Sequence, residues 1–221
     1  MERIPEPELM EDLTQAAAYA DADFAEGDTA FVATILAYLG AYSPRRVVDL
    51  GCGPGNICLR LAERLSKSRL LGVDGSAAML GHAMRRARQA GWSSERMGFQ
   101  EAFLPSEALP RAAFDLVVSN SVLHHIHRPE GFWEAVKWVA APGARVVIGD
   151  LRRPEGPEAA RALVEQYSEG APEVLREDFY NSLVAAFTVE EVRMQLQQAG
   201  LVGLEVNSVG DRYLRLAGVL P

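Results

Sequence analysis

The nine residues VVDLGCGPG, at positions 47–55, decide how this chain is interpreted. The stretch begins with β-branched and apolar residues that predict a buried strand, and it ends in Gly51, Gly53 and Gly55. Glycine is suited to a backbone that turns sharply and approaches a ligand without an intervening Cβ atom. The stretch therefore predicts a ligand-binding loop between the carboxyl end of a strand and a helix.

The spacing of these glycines, and the acid in front of them, indicate the charge of the ligand. A dinucleotide-binding loop has the pattern G-x-G-x-x-G and holds a pyrophosphate at a helix N-terminus, whereas this loop has the pattern G-x-G-x-G after Asp49. A carboxylate there repels phosphate and favours a cationic or zwitterionic ligand. Asp74 ends the next predicted strand, where it can accept both hydroxyls of a ribose. The alternatives are that Asp49 only ties down loop amides and that Asp74, like Ser76, only caps the next helix.

Outward from this loop, short apolar runs alternate with longer amphipathic stretches, which predicts an α/β sandwich with a mostly parallel sheet. The predicted strands are residues 45–50, 69–74, 97–102, 114–120 and 144–150, and the helices between them are 56–65, 76–89 and 129–139. Further helices are expected at 154–168, 178–187 and 188–200, the last opened by a Thr188–Glu191 capping box. Strands at 202–209 and 212–219 form an antiparallel hairpin around Gly210-Asp211. Two helices within 7–42 complete a cap or lid, residues 1–43, on a single domain, residues 44–221.

Composition limits the class of protein. The 221 residues are 48% hydrophobic and 24% charged, as expected for one globular domain. Lys and Arg total 22 against 30 Asp and Glu, a net charge of −8, which disfavours nucleic-acid binding. The two cysteines form neither a disulfide framework nor a zinc pattern. We find no signal peptide and no apolar run long enough for a membrane span, and we expect a cytoplasmic protein.

The chain resembles the small, single-domain class I S-adenosylmethionine-dependent methyltransferases. The resemblance covers residues 47–217 and rests on VVDLGCGPG, LLGVDGSAAML, FDLVVSNSVLHHI, the Pro142-Gly143 pair and FTVEEV. It implies a Rossmann-like seven-stranded, mostly parallel sheet with a C-terminal antiparallel hairpin and helices on both faces. It also implies S-adenosylmethionine as cofactor, S-adenosylhomocysteine as product, and no metal.

The resemblance assigns cofactor contacts residue by residue. The methionine end of the cofactor, the ribose and the adenine fall to the strand ends and to the loops that follow them. The residues so assigned are Asp49, Gly51, Cys52, Gly53, Asp74, Gly75, Met79, Glu101, Ala102 and Asn120. The chain departs from the family at the adenine edge, where a Gly-Asp-Ala type segment is usual and Glu101-Ala102-Phe103 stands here.

Acceptor residues are expected beyond the fourth and fifth strands. His124 and His125 are candidates for a general base if the acceptor is a hydroxyl or a protonated amine, and one of the pair is expected to be structural. Asp150 and Arg152, with Arg153, form either a clamp for an anionic substrate or a solvated run. Aromatic and polar residues of two further segments are expected to form a lid: Tyr19, Phe24, Phe179, Tyr180 and Asn181.

The resulting hypothesis is a methyltransferase that acts on a small-molecule acceptor by in-line transfer. Three alternatives stay open: a protein or RNA methyltransferase, a non-catalytic S-adenosylmethionine-binding protein, and a dinucleotide-dependent oxidoreductase. The partners expected are the small acceptor but neither nucleic acid nor a membrane, and a homodimer is allowed.

Overall fold

Seven strands form one sheet in the computed structural model, which describes residues 1–6, 19 and 24–221. The strands are β1 (Arg46–Leu50), β2 (Arg69–Asp74), β3 (Met97–Glu101), β4 (Phe114–Asn120), β5 (Ala140–Leu151), β6 (Leu204–Val209) and β7 (Tyr213–Val219). Their order is β3-β2-β1-β4-β5-β7-β6. The first five are parallel, and β7 is antiparallel to both β5 and β6. The carboxyl ends of β1 to β5 therefore meet at one edge, with β1 and β4 at its centre.

Helices cover both faces of this sheet. They are α1 (Ala25–Leu39), α2 (Asn56–Arg64), α3 (Ala77–Gln89), α4 (Pro129–Val139), α5 (Pro157–Tyr167), α6 (Glu173–Ala185) and α7 (Val189–Gln198), with a 3₁₀ turn at Leu123–His125. Apolar residues of α1, α2 and α3 pack on one face, and those of α4 and α7 pack on the other. A smaller cluster joins α5 and α6 to the end of β5. The expected three-layer fold with its terminal hairpin is confirmed.

Alternation along the central strands explains the two cores. Val47 and Leu116 belong to the core under α1 and α2, whereas Val48 and Val117 belong to the core under α4. Since successive side chains of a strand point to opposite faces, Asp49 and Asn120 lie on the α1 side. Both of these polar residues lie near the carboxyl edge, where the apolar layer ends.

The observed element bounds differ from the predicted ones in two instructive places. The fifth strand begins at Ala140 rather than at residue 144, because Ala140 pairs with Phe114 and a register shift follows before Leu116. The Pro142-Gly143 pair thus forms an irregularity within a strand. Helix α6 runs Glu173–Ala185 rather than 178–187. Of the two helices predicted within 7–42, α1 is one, and the other lies outside the described residues.

No helix in the described part of the chain is both long and apolar enough to cross a bilayer.

Candidate functional site

The glycine-rich loop is tied to the end of β2. The amides of Gly51 and Cys52 donate to the Val73 carbonyl at 2.7 and 2.9 Å, and the Gly53 amide donates to Asp74 Oδ2 at 2.8 Å. Both glycines have positive φ, 73° and 51°. The alternative that Asp49 ties down these amides is therefore wrong, and the Asp49 carboxylate is left for another task.

Gly51 is the most constrained position in the loop. A Cβ atom there would lie 2.3 Å from Val122 Cγ2, and the φ of 73° adds strain for any other residue. Gly51→Ala should lower the free energy of unfolding by about 1–3 kcal/mol, measured by urea denaturation. Gly81→Ala in α3 is the matched control, because no atom lies within 4 Å of a Cβ there. Equal stabilities for the two variants would contradict the packing argument.

Three carboxylates converge behind this loop. Asp49 is 2% exposed and Asp28, from α1, is 6% exposed. The pKa of Asp49 is raised to about 7, chiefly by burial and also by the charges of Asp74 and Asp28, while a hydrogen bond from the Cys58 thiol opposes the rise. Arg60 lies 3.7 Å from Asp28. The arrangement concentrates negative charge, and a positively charged ligand would relieve it. Asp28 was missed by the sequence interpretation, because an acid in the first turn of a helix is ordinary.

Asp74 holds the junction of β2 and α3. Its Oδ1 accepts from the Ser76 amide at 2.8 Å, and the helix itself is capped by Ser76, whose Oγ accepts from the Met79 amide at 3.3 Å. Burial raises the pKa of Asp74, while hydrogen bonds from the Ser76, Gly53 and Gly75 amides lower it. A carboxylate has four lone-pair sites, so the three amides leave capacity for a ligand hydroxyl.

The remaining predicted cofactor residues line the same edge with different exposures. Glu101 is exposed and pairs in register with Asp74, and the Ala102 amide donates to the Asp74 carbonyl at 3.0 Å. Asn120 is half-buried at the end of β4. Met79 and Cys52 are buried. Burial raises the pKa of the Cys52 thiol, which agrees with a packed residue rather than a nucleophile.

The turn after β4 carries the histidine pair and is organised by Asp150. The Asp150 carboxylate, 2% exposed, accepts from the amides of Val122 and Leu123 at 3.0 and 2.6 Å. Its other oxygen lies 2.5 Å from His124 Nδ1. His124 is 3% exposed, whereas the His125 side chain is 30% exposed. His124 is thus the structurally held member of the pair, and Asp150 faces the protein rather than a substrate.

The first residues of the chain pack beside the histidine pair. Glu6 Oε1 lies 3.6 Å from His124 Nε2 and 3.2 Å from His125 Nδ1, and it accepts from Ser182 Oγ of α6 at 3.0 Å. Burial raises the pKa of Glu6, although the charge of His124 opposes it. No sequence signal pointed to Glu6, because it precedes the core and belongs to no motif.

The predicted arginine clamp after β5 is not formed. Arg152 Nη2 donates to the Asp211 carbonyl at 2.7 Å. Arg153 is buried and pairs with Glu191 of α7 at 2.5 Å. Both guanidinium groups are therefore held by the protein's own acceptors, which corrects the expectation that Arg152 and Arg153 grip a substrate.

The predicted lid residues fall into two groups. The Tyr19 ring packs against the Phe24 ring with centroids 4.7 Å apart and planes tilted by 40°. Burial raises the pKa of Tyr19, and the charges of Asp28, Asp74 and Asp150 raise it further. In α6, Phe179 and Tyr180 pack against the small apolar cluster at the end of β5, and Asn181 is exposed. The role of these residues as a lid stays a prediction.

Comparison with known proteins finds relatives in both sequence and structure. A family model described as a methyltransferase domain matches residues 43–200. The trans-aconitate 2-methyltransferase of Rhodococcus jostii strain RHA1 is 37% identical over 157 residues, which cover 63% of this chain and 53% of that protein. The Streptomyces coelicolor enzyme of the same name is 40% identical over 86 residues, 38% of this chain and 27% of that one. This chain therefore spans about half or less of the curated relatives it matches.

Solved structures share the whole architecture. A SAM-dependent methyltransferase from Aquifex aeolicus superimposes with a TM-score of 0.71 at 18% identity and covers 96% of this chain and 100% of its own. The phosphoethanolamine N-methyltransferase 2 of Haemonchus contortus, solved with S-adenosyl-L-methionine, gives 0.70 at 15% identity over 95% of this chain and 57% of its own. These likenesses concern the fold. With the family match over more than half of its length, this chain belongs to the methyltransferase domain family.

Proposed function

We propose that this protein is a methyltransferase that transfers a methyl group from S-adenosylmethionine to a small-molecule acceptor. The observation that carries the proposal is the convergence of Asp28, Asp49 and Asp74 at the glycine loop. S-adenosylmethionine carries an ammonium and a sulfonium, and these charges suit a site where the pKa values of Asp49 and Asp74 are raised. A dinucleotide would bring a pyrophosphate to the same place and add to the repulsion.

The residues present fit this cofactor. Gly53 leaves room beside the end of β1, since no atom lies within 4 Å of a Cβ position there, and Asp49 lies on the same edge for a positive group. Asp74 keeps a lone-pair site for a ribose hydroxyl, and Glu101, its partner in register, and Ala102 lie beside it for the adenine end. When bound, the cofactor supplies an electrophilic methyl group on a sulfonium sulfur, which leaves as the neutral thioether of S-adenosylhomocysteine after in-line displacement.

The protein's own contribution is to position the acceptor, exclude water and, where needed, take a proton. His125 is the better candidate for the base, because it is the more exposed histidine and its Nδ1 lies 3.2 Å from Glu6. Its proton would come from an acceptor hydroxyl or amine. His124, held by Asp150, positions the turn. Tyr19 and Phe24 would cover the edge and keep water out.

The proposal also includes the size of the acceptor, the cellular compartment, the domain division and the oligomeric state. The relatives named trans-aconitate 2-methyltransferase favour a small acceptor over a macromolecule, and the net charge of −8 disfavours RNA. Cys52 and Cys58 are both free thiols, which suits the reducing cytoplasm. A cap of residues 1–43 over a domain of residues 44–221 and a homodimeric state stay predictions.

Calorimetry with S-adenosylmethionine tests the proposal directly. Asp74→Ala should weaken binding about 10- to 100-fold, because charge-assisted hydrogen bonds to the ribose are lost. Asp211→Ala, in the exposed hairpin turn, is the control and should bind as wild type does. A wild-type protein that binds NAD but not S-adenosylmethionine would contradict the proposal.

Turnover separates the remaining candidates. Formation of S-adenosylhomocysteine with a small acceptor distinguishes an enzyme from a non-catalytic binder. Glu6, His124 and His125 hold donor atoms within 4.8 Å of one another, so the assay includes a chelator. We expect unchanged turnover with EDTA, because displacement at a sulfonium needs no Lewis acid.

A further inference from the structure

We propose that Arg215 binds a carboxylate group of the methyl acceptor. This inference rests on the proposed function and names the substrate class: small carboxylic acids. It assigns to β7 the task that the sequence interpretation gave to Arg152 and Arg153.

The position of Arg215 follows from strand pairing. Arg215 lies directly opposite Gly149 of β5, and Gly149 pairs with Asn120 at the end of β4. A Cβ atom at Gly149 would lie 2.5 Å from Arg215 Nη1, 2.8 Å from Phe31 Cε2 and 2.9 Å from Asn120 Oδ1. The guanidinium thus reaches across the glycine toward the centre of the carboxyl edge. It lies next to Asn120, which the family resemblance places at the methyl-transfer region.

The guanidinium is held in place but not neutralised. It lies 4.9 Å from the centre of the Phe31 ring and 5.0 Å from that of Tyr213. Among the described residues, its one hydrogen bond runs from Nη1 to the carbonyl of the adjacent Leu214 at 3.3 Å. Within the described part of the chain its Nε atom is buried without a partner, and no carboxylate forms an ion pair with it. Burial lowers the pKa of Arg215, although nearby Tyr213 and Asp150 oppose this, so the group would gain from an anion.

The guanidinium groups of three other arginines have partners within the protein. Arg153 pairs with Glu191, and Arg145 donates to the Leu39 carbonyl at 2.7 Å. Arg212 lies 3.2 Å over the Tyr167 ring and contacts Asp211. The Arg153 Nε is also buried without a partner, but among the described residues Arg215 differs from these three because it has neither an ion pair nor a hydrogen bond shorter than 3.3 Å.

The chemistry of the groups around Arg215 favours a carboxylate ligand. A guanidinium offers two parallel N–H groups that match the two oxygens of a carboxylate. The amide of Asn120 can add one more hydrogen bond. A single cation balances the single charge of a carboxylate, whereas a phosphate dianion would place excess negative charge near the buried Asp150. The missing side chain of Gly149 leaves the space that the guanidinium itself occupies beside Asn120.

The test measures binding of matched ligands to the protein loaded with S-adenosylhomocysteine. The probes are fumarate, succinate, glutarate and benzoate, together with phenyl phosphate. Each acid is compared with the amide in which one carboxylate is replaced by a carboxamide. We expect at least one acid to bind, and its amide to bind more than tenfold more weakly. Arg215→Gln should weaken the acid roughly 10- to 100-fold and the amide little. Arg215→Lys, which keeps the charge but not the paired N–H groups, should fall between.

Controls separate this inference from the function on which it rests. Arg212→Gln, on the same hairpin, should bind acids as wild type does, and all variants should keep wild-type affinity for S-adenosylhomocysteine. If Arg215→Gln does not fold, Arg215→Lys carries the comparison. The inference is overturned if no acid binds, if acid and amide bind alike, or if phenyl phosphate binds more tightly than every acid. Failure of the wild type to bind S-adenosylmethionine would instead overturn the proposed function.

Discussion

Asp150→Ala should lower the free energy of unfolding by about 3–5 kcal/mol, because it strips a buried network of its shared acceptor. The carboxylate accepts from His124 Nδ1 at 2.5 Å and from the amides of Val122, Leu123 and Leu151 at 3.0, 2.6 and 2.7 Å. Alanine would leave a buried imidazole and backbone N–H groups without partners. Urea denaturation followed by circular dichroism measures the loss.

Asp115→Ala is a matched control. Its Oδ2 also accepts from two backbone amides, those of Arg45 and Arg46 at 2.7 and 3.0 Å, but at the opposite edge and in contact with solvent. We expect a loss of about 1 kcal/mol there. If Asp115→Ala and Asp150→Ala lowered the free energy of unfolding equally, burial of the turn that carries His124 and His125 would add nothing to the stabilisation by Asp150.

The same network predicts how stability depends on pH. Burial raises the pKa of Asp150, but the charge and hydrogen bond of His124 lower it more, so it lies below the ordinary 3.8. Burial lowers the pKa of His124, but Asp150 and Glu6 raise it more, so it lies above 6.5. The contribution of Asp150 is present above pH 3.8 and is lost as the pH falls through its folded pKa. That of His124 is present below pH 6.5 and is lost as the pH rises through its folded pKa. In Asp150→Ala both slopes should flatten.

Affinity for S-adenosylmethionine should fall with acidification, by about tenfold for each pH unit below 7. Burial raises the pKa of Asp49 to about 7, so the unliganded protein carries a proton there in mildly acidic solution. A cationic ligand favours the ionised carboxylate, and binding must then expel that proton. Folding stability should respond to pH in the opposite direction from affinity. The contribution of Asp49 to the free energy of unfolding of the unliganded protein is greatest below pH 3.8 and declines as the pH rises through 7. Calorimetry between pH 5 and pH 8, in buffers of different ionisation enthalpy, measures both affinity and proton release.

Asp49→Asn identifies the proton. It should bind more weakly than wild type at pH 8 and with little dependence on pH. A slope in Asp49→Asn as steep as in wild type would assign the proton to another group, and Asp74, whose pKa burial also raises, is the next candidate.

The glycine loop and the strand ends beside it were predictable because their parts are close together in sequence. Asp49, Gly51, Gly53 and Asp74 fall within two adjoining strand–loop–helix units, and clear turn residues separate those units. The strands β2 and β4 begin and end where the apolar runs do. The bounds of β5 were less predictable, because a proline-glycine pair in the chain can interrupt a strand as well as precede one.

The acceptor side was not predictable for a topological reason. Glu6 and Arg215 come from the start of the chain and from its last strand, and only the folded arrangement brings them to one edge. Periodicity shows which face a residue lies on but not which neighbour a long side chain reaches. Arg152 was therefore interpreted as a substrate residue although its guanidinium turns to the hairpin, whereas Arg215 lay in an unremarkable strand.

The contacts of Arg3 make the turn after β4 susceptible to local opening on warming. Its guanidinium donates to the carbonyls of Ala185, His124 and Ile126 at 2.5, 2.8 and 3.0 Å, and it lies 4.0 Å over the Phe187 ring. Release of this one side chain would free all three carbonyls together and leave every strand pair intact. Local opening there costs less than melting the sheet. Warming should therefore loosen the histidine turn while the cofactor loop is still folded, so that catalytic competence ends at a lower temperature than cofactor retention.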